Sequence, residues 1–504
     1  MERTAILELK PNDIKLTIYD LNTENFYSVL DIFSMPISLG EQSENDQIAK
    51  PSQVKETIVV IKQMQEIIAK NNVKTVFPFV SSDLAGLINL GSFLEEILNS
   101  TSLNFKTVSL ADQAKILHSS VIESLDVSRG IIISIENTKS SIVSFSRKSI
   151  IGVAQIPFGA KTITQIVESL PKEEQIPAIS KIVKEELSKH NFLSCIEPEV
   201  QVVGVNEFFS SLGRLMRKTT RYPFEKAHGY ETSFSEFSKF CDFVAGFDLD
   251  KTKKIKGISQ DRSDVFFNGL HIIKNILEFL NAQSFVICEK GITNGLMLAS
   301  APQPLEKPLW DLLTFSIRKN QSLYLPKSEN AIHVCALATA LFNHLKIVSK
   351  ISRTVFKSLK VAANFYDVGK RISFFNLPKN GYNVILGMDL DGLTHKEQVL
   401  AAFICLCQDP DAFELSLWVG FKDLLNEEDL VCVKKLGLIL ALASKLDCRK
   451  KQVVRDLNCE ILGDTVILKA ESSGKAELTQ FEVNEASKLR ESFKKIFGKN
   501  LQIL

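Results

Sequence analysis

Two four-residue turns hold the side chains best placed for chemistry. The first is Lys10-Pro11-Asn12-Asp13, between the apolar runs TAILEL (4–9) and IKLTIY (14–19). The second is Glu136-Asn137-Thr138-Lys139, between IIISI (131–135) and SSIVSF, with another apolar run at Ile150–Ile156. Each reads as two short strands around a turn. The second hairpin copies the first, with Glu8 matching Ser134 and Leu16 matching Ile142. A hairpin that recurs with helices between its copies argues for two related α/β halves. Such halves leave a cleft between their turns, a common place for a ligand. The 60 basic and 59 acidic side chains leave a net charge of +1. There is no global field for nucleic acid or an anionic membrane, so an anion has to be held locally. Two basic runs are available for polyanion contacts: Arg214, Arg217, Lys218 and Arg221, then Arg449, Lys450, Lys451 and Arg455. Each also reads as a solvated face.

The elements that position these groups follow from periodicity. Residues 52–70 carry apolar side chains every three to four positions, with Ser52 as the expected N-cap. Val76–Val80, Val200–Val205 and Ser284–Cys288 read as strands, and 110–125 and Asp261–Leu280 as helices. From about 306 helical patterns dominate through 445, and the last 50 residues read as a short sheet followed by a helix. A chain of 504 residues is too long for one hydrophobic core. The expected domains are 1–128 and 129–305, both α/β, then a helical 306–448 and a small α/β region 449–504. The nine cysteines are scattered without a CxxC pair, so they are expected to be reduced thiols rather than zinc ligands or disulfides. The N-terminal residues lack a signal pattern and no run of 18 apolar residues occurs, so a cytoplasmic, non-membrane protein is expected.

Longer stretches resemble the exopolyphosphatase / guanosine pentaphosphate phosphatase (Ppx/GppA) family of the actin-like ATPase superfamily. They are KGISQDRSDVFFNGLHIIKNILEFLNAQSFVICEKGITNGLML (256–298), IPFGAKTITQ (156–165), RYPFEKAHGYETS (221–233) and GLTHKEQVLAAF (392–403). The resemblance implies two actin-like (ribonuclease-H-like) domains, a helical HD-like domain and a small C-terminal α/β tail. It also implies the family reaction, Mg²⁺-dependent hydrolysis of a terminal phosphate from polyphosphate or guanosine pentaphosphate. A homodimer is implied as well. In the family, glycine-rich turns hold phosphate oxygens on backbone N–H groups, carboxylates hold Mg²⁺, and a glutamate activates water.

Carried over position by position, those groups are largely replaced. The first turn, D-I-G-S-N-S in the family, is Glu8-Leu9-Lys10-Pro11-Asn12-Asp13. Glu8 keeps a carboxylate and Asn12 survives, but Lys10 replaces a glycine, Pro11 removes an N–H donor, and Asp13 adds a negative charge. The second, D-I-G-G-G-S-T-E, is Ser134-Ile135-Glu136-Asn137-Thr138-Lys139-Ser140-Ser141, with no glycine left. Ser134 stands for the metal-linked aspartate and Ser141 for a glutamate. The general base falls on Gln113, an amide that cannot take a proton at neutral pH, and Asp112 stands beside it. The phosphate-binding arginines fall on Leu84 and Thr293. A third glycine loop becomes Gly204-Val205-Asn206-Glu207-Phe208, and the HD pair becomes Tyr366-Asp367, with His333 and His395 isolated. His228 is read as a packing and hydrogen-bonding residue.

The reading is a retained fold with impaired or absent hydrolysis. No cofactor is expected, with Mg²⁺ only where activity remains, and no metal at Tyr366-Asp367. Vestigial phosphate contacts are Asn12, Asp13, Asn137, Thr138, Lys139 and Ser140. The alternatives are a divergent phosphohydrolase or ATPase using Asp112 or Glu8, and a regulatory or scaffold protein that binds a partner.

Overall fold

The computed structural model describes residues 2–21, 26–39, 48–147, 149–195, 200–245, 263–299, 311–325, 329–349, 351–472 and 479–504. Residues 256–262 of the longest family-like stretch, and the expected boundary at 305/306, lie outside them. The chain forms two compact units, Met1–Thr220 with Lys226–Trp310, and Arg221–Glu225 with Asp311–Leu504. The expected boundaries at 128/129 and 448/449 fall inside these units.

The first unit is α/β and holds two mixed sheets. Strands β1 (Glu2–Leu9), β2 (Asp13–Leu21), β3 (Tyr27–Pro36), β4 (Thr75–Val80) and β5 (Lys106–Thr107) pair in the order β3-β2-β1-β4-β5. Strands β6 (Arg129–Ile135), β7 (Ser140–Ser146), β8 (Ser149–Ile156), β9 (Gln201–Val205), β10 (Glu231–Ser233) and β11 (Ser284–Cys288) pair in the order β10-β11-β9-β6-β7-β8. The run β8-β7-β6-β9-β11 repeats β3-β2-β1-β4-β5. In both, two antiparallel pairings are followed by parallel ones. The repeat read in the sequence is therefore a repeat of the sheet. Register agrees as well. Leu9 pairs with Ile14 across the first turn, and Ile135 pairs with Ser140 across the second. Each turn closes with the same backbone bond, Lys10 N–H to Asp13 O and Glu136 N–H to Lys139 O, both 3.0 Å.

The strand interiors explain this arrangement. Residues 4–9 and 130–135 are buried on both faces, and each lies in a central strand with one antiparallel and one parallel neighbour. Strand β3 is at an edge and exposes Val29, Leu30 and Ile32, so its burial does not alternate. The helix expected at 52–70 starts one residue earlier. Lys50, not Ser52, is its N-cap, because Pro51 carries its fixed φ into the first helical position. The helix read over 110–125 spans Leu110–Ile122, with the Ser109 hydroxyl accepting from Asp112 N–H.

The second unit is built on helices. Leu312–Tyr324, Glu329–Ser349, Phe356–Asn364, Leu377–Gly387, His395–Leu406 and Glu427–Lys445 surround one apolar core. Its small sheet has the order β12 (Val454–Leu462), β13 (Thr465–Ser472), β14 (Asn500–Ile503). Strand β14 lies parallel to β13, which requires a crossover, and helices Gln480–Ser487 and Arg490–Phe497 provide it. None of the nine cysteines is in a disulfide; Cys241, Cys288, Cys405 and Cys407 are buried and Cys195 is exposed. Among the described residues no helix is long and apolar enough to cross a membrane.

Candidate functional site

The two turns approach the same place in the first unit. The second turn is fixed from below by the helix Ala160–Val167. N–H groups at the start of that helix donate to the turn's carbonyls: Ala160 to Glu136 O at 2.9 Å, and Lys161 and Thr162 to Asn137 O at 2.9 and 3.1 Å. Gly159 makes this approach feasible, since a Cβ there would lie 2.2 Å from Glu136 O. With its carbonyls held by the helix, the turn directs the amides of Asn137 and Thr138 to the other side.

Asp83 meets them. It lies in a single 3₁₀ turn, Ser82–Leu84, after strand β4 of the first sheet. Asp83 Oδ1 accepts from the Thr138 amide at 2.9 Å and the Thr138 hydroxyl at 2.7 Å. Asp83 Oδ2 accepts from the Asn137 side-chain amide at 3.2 Å and, more loosely, from its backbone amide at 3.4 Å. The neighbouring Ser82 hydroxyl donates to the Glu136 carboxylate. Leu84, the position of a family arginine, is buried in the core beside the first sheet and takes no part in the site.

Glu136 is the central carboxylate. It accepts from Gln113 Nε2 at 2.9 Å as well as from Ser82. Burial, reinforced by the negative charges of Asp83 and Glu8, pushes its carboxyl up to about 7. Neither spacing nor resemblance in the sequence singles out Ser82, Asp83 or a central role for Glu136. The available signal was Ser81-Ser82-Asp83, a cap-like run directly after the apolar strand Thr75–Val80.

The first turn carries an ion cluster. Lys10 Nζ lies 3.7 Å from Glu8 Oε2 and 3.3 Å from Glu207 Oε2. Burial alone would lower Lys10, but Glu8 and Glu207 overcome it and hold the ammonium above the usual lysine range. Lys10 in turn lowers Glu207, while burial raises Glu8. Asp13 Oδ2 accepts from Ser34 at 2.7 Å. Ser134 receives a bond from the Asn206 side-chain amide, Ser140 donates to Phe158 O at 2.8 Å, and Ser141 is buried. Asn206 itself has a φ of 78°, a left-handed conformation where the family has glycine.

This set does not fit a divalent cation. An ammonium already sits on Glu8. At Ser134 a neutral hydroxyl, held by Asn206, replaces a ligating carboxylate.

The remaining predicted positions are dispersed. Asp112 is exposed at the start of its helix, bonded to Ser109 at 2.7 Å and paired with Lys115 at 3.3 Å; these partners lower its carboxyl. Arg214, Arg217, Lys218 and Arg221 differ in exposure and setting. Arg214 and Lys218 are exposed on the helix Asn206–Thr220, Arg217 is half-buried, and Arg221, with a φ of 53°, belongs to the second unit. His228 and Glu289 exchange bonds, with His228 N–H donating to Oε2 at 3.2 Å and Glu289 N–H donating to Nδ1 at 3.3 Å.

In the second unit Arg449 grips the buried Glu482 at 2.7 and 2.5 Å. Lys450 and Lys370 pair with Asp367 at 2.8 and 3.3 Å. Tyr366 is buried, and His395 Nδ1 lies 3.1 Å from Tyr222 Oη, its ring edge-on to Phe224. Among the described residues no group of three or more His, Cys, Asp or Glu is placed to hold a metal ion.

A family model for Ppx/GppA phosphatases matches residues 23–303, more than half of the chain. The chain belongs to the Ppx/GppA phosphatase family. Two solved structures share its fold. A family member from Aquifex aeolicus, 18% identical, has a TM-score of 0.54 and covers 61% of this chain and 99% of its own. An exopolyphosphatase from Cytophaga hutchinsonii, 14% identical, has a TM-score of 0.53 and covers 59% and 96%. A curated relative, the bifunctional 3-dehydroquinate synthase/phosphatase of Fusobacterium nucleatum, is 22% identical over 319 residues. That match takes in 58% of this chain and 46% of the relative, so the chain spans under half of that protein's length.

Proposed function

We propose that this chain is a non-hydrolysing member of the Ppx/GppA phosphatases. It keeps the two-sheet chamber of a phosphoanhydride hydrolase and serves a binding or regulatory role. The observation that carries this reading is the Lys10 ammonium, 3.7 Å from Glu8 and 3.3 Å from Glu207. It supplies to Glu8 the positive charge that a divalent cation supplies in the family. Without that cation, no Lewis acid neutralises charge on a transferring phosphoryl group. Gln113 supports the same reading, since its amide cannot accept a proton from water.

The test is phosphate release from long-chain polyphosphate with Mg²⁺. The expected rate equals the blank, and clear turnover overturns the proposal. A second reading, a divergent phosphohydrolase, is favoured by one observation: the Glu136 carboxyl near 7 sits beside Gln113. It predicts Mg²⁺-dependent release that disappears in Glu136→Gln. Asp112 and Glu8, the other carboxylates considered for that role, are held by Lys115 and Lys10.

The same proposal takes the helical second unit as an HD-like domain without a metal, and the protein as a cytoplasmic homodimer. Light scattering of the purified chain tests the dimer.

A further inference from the structure

The family uses the second turn to seat a phosphoryl group on backbone amides. In this chain those amides already have an anion. Asp83 takes four donors from two consecutive residues: the Thr138 amide and hydroxyl at 2.9 and 2.7 Å, and the Asn137 side-chain and backbone amides at 3.2 and 3.4 Å. A planar carboxylate on paired N–H and O–H donors makes the contacts that a phosphoryl oxygen would make. Leu84 is packed in the core, and the residue before it supplies the anion.

We propose that Asp83 is an internal ligand whose carboxylate closes the Asn137–Thr138 anion seat to free phosphoryl groups and ties the first sheet's turn to the second sheet's. The proposal rests on the reading of 136–139 as the counterpart of the family's phosphate turn. Ser82 extends the tie through its bond to Glu136. Leu84 anchors it from the other side, because its burial fixes the 3₁₀ turn and leaves Asp83 directed away from the core. A tethered ligand acts at an effective concentration on the order of millimolar or above. A free anion at lower concentration therefore competes poorly while Asp83 is in place.

The experiment is calorimetric titration of the full chain with tripolyphosphate, comparing wild type, Asp83→Ala and Asp83→Asn. Asp83→Ala is expected to bind at least tenfold more tightly than wild type. Asp83→Asn, which keeps an acceptor oxygen but loses the charge, should gain less, about threefold. Equal affinities for wild type and a folded Asp83→Ala overturn the proposal. If the alanine variant does not fold, a folded Asp83→Asn with no gain overturns it equally. Phosphate release is followed in parallel and is expected to stay at the blank in every variant. Release by wild type would reject the non-hydrolysing reading, whereas the titration alone decides the role of Asp83.

Discussion

Gln113 Nε2 donates to the Glu136 carboxylate at 2.9 Å, joining the helix Leu110–Ile122 to the second turn. A buried carboxylate therefore stands on the turn, beside an amide on the helix. Restoring the helix glutamate sets two carboxylates against each other and removes a donor from Glu136. Gln113→Glu is therefore expected to cost about 1–3 kcal/mol of stability at pH 8 and to gain no phosphate release. Chemical denaturation alongside a polyphosphate assay checks both. An active Gln113→Glu variant would show that the turns still bind substrate.

Glu136 should give the fold a specific pH dependence. Its carboxyl is near 7 in the folded chain against an ordinary 4.5, chiefly because of burial. A raised carboxyl favours the fold when protonated. The contribution is complete below about 4.5 and is lost as pH rises through about 7, on the order of 3 kcal/mol in all. Glu136→Gln removes the titration while keeping an acceptor oxygen. Urea melts of the variant and wild type should nearly coincide at pH 4.5 and favour the variant at pH 8.5. A difference that does not vary with pH would assign the effect elsewhere.

Lys10 neutralises Glu8, so its loss leaves a buried carboxylate without its cation. Lys10→Met is expected to destabilise by about 3 kcal/mol, and Glu8→Gln in the same chain should recover most of it. Thermal unfolding of the single and double variants reads the coupling. Additive losses would mean that the pair does not interact.

Arg449 tests whether the second basic run serves anions or structure. Its fork grips Glu482, which is 1% exposed. Arg449→Lys keeps the charge but loses the bidentate geometry, and is expected to lower the unfolding temperature while leaving tripolyphosphate affinity unchanged. A stable variant with weakened polyanion binding would return the residue to the polyanion contact read from sequence.

Much of the site's frame was legible from the chain alone. Period-two and continuous apolar runs gave β1, β2, β6 and β7, and the Pro-Asn-Asp and Asn-Thr-Lys turns between them marked where the chain reverses. Strand β3 escaped because an exposed edge carries no burial pattern. The helix that carries Arg214, Arg217 and Lys218 ends at Thr220, and the left-handed backbone of Arg221 directly after it is not written in the residue type.

The sequence by itself determined the internal duplication, the position of both turns, and the residue types in them, none of them glycine. Those features depend on residue type and near neighbours, which local propensity and pattern report. Only the tertiary structure decided which groups pair: Asp83 on the Thr138 amide, Lys10 between Glu8 and Glu207, and Gln113 on Glu136. Each pairing except Lys10 with Glu8 joins segments more than 20 residues apart, and those that cross between the two sheets exist only because the sheets bring their turns together. A side chain's partner across such a gap is set by packing and register, and neither is written in the residues on either side of it.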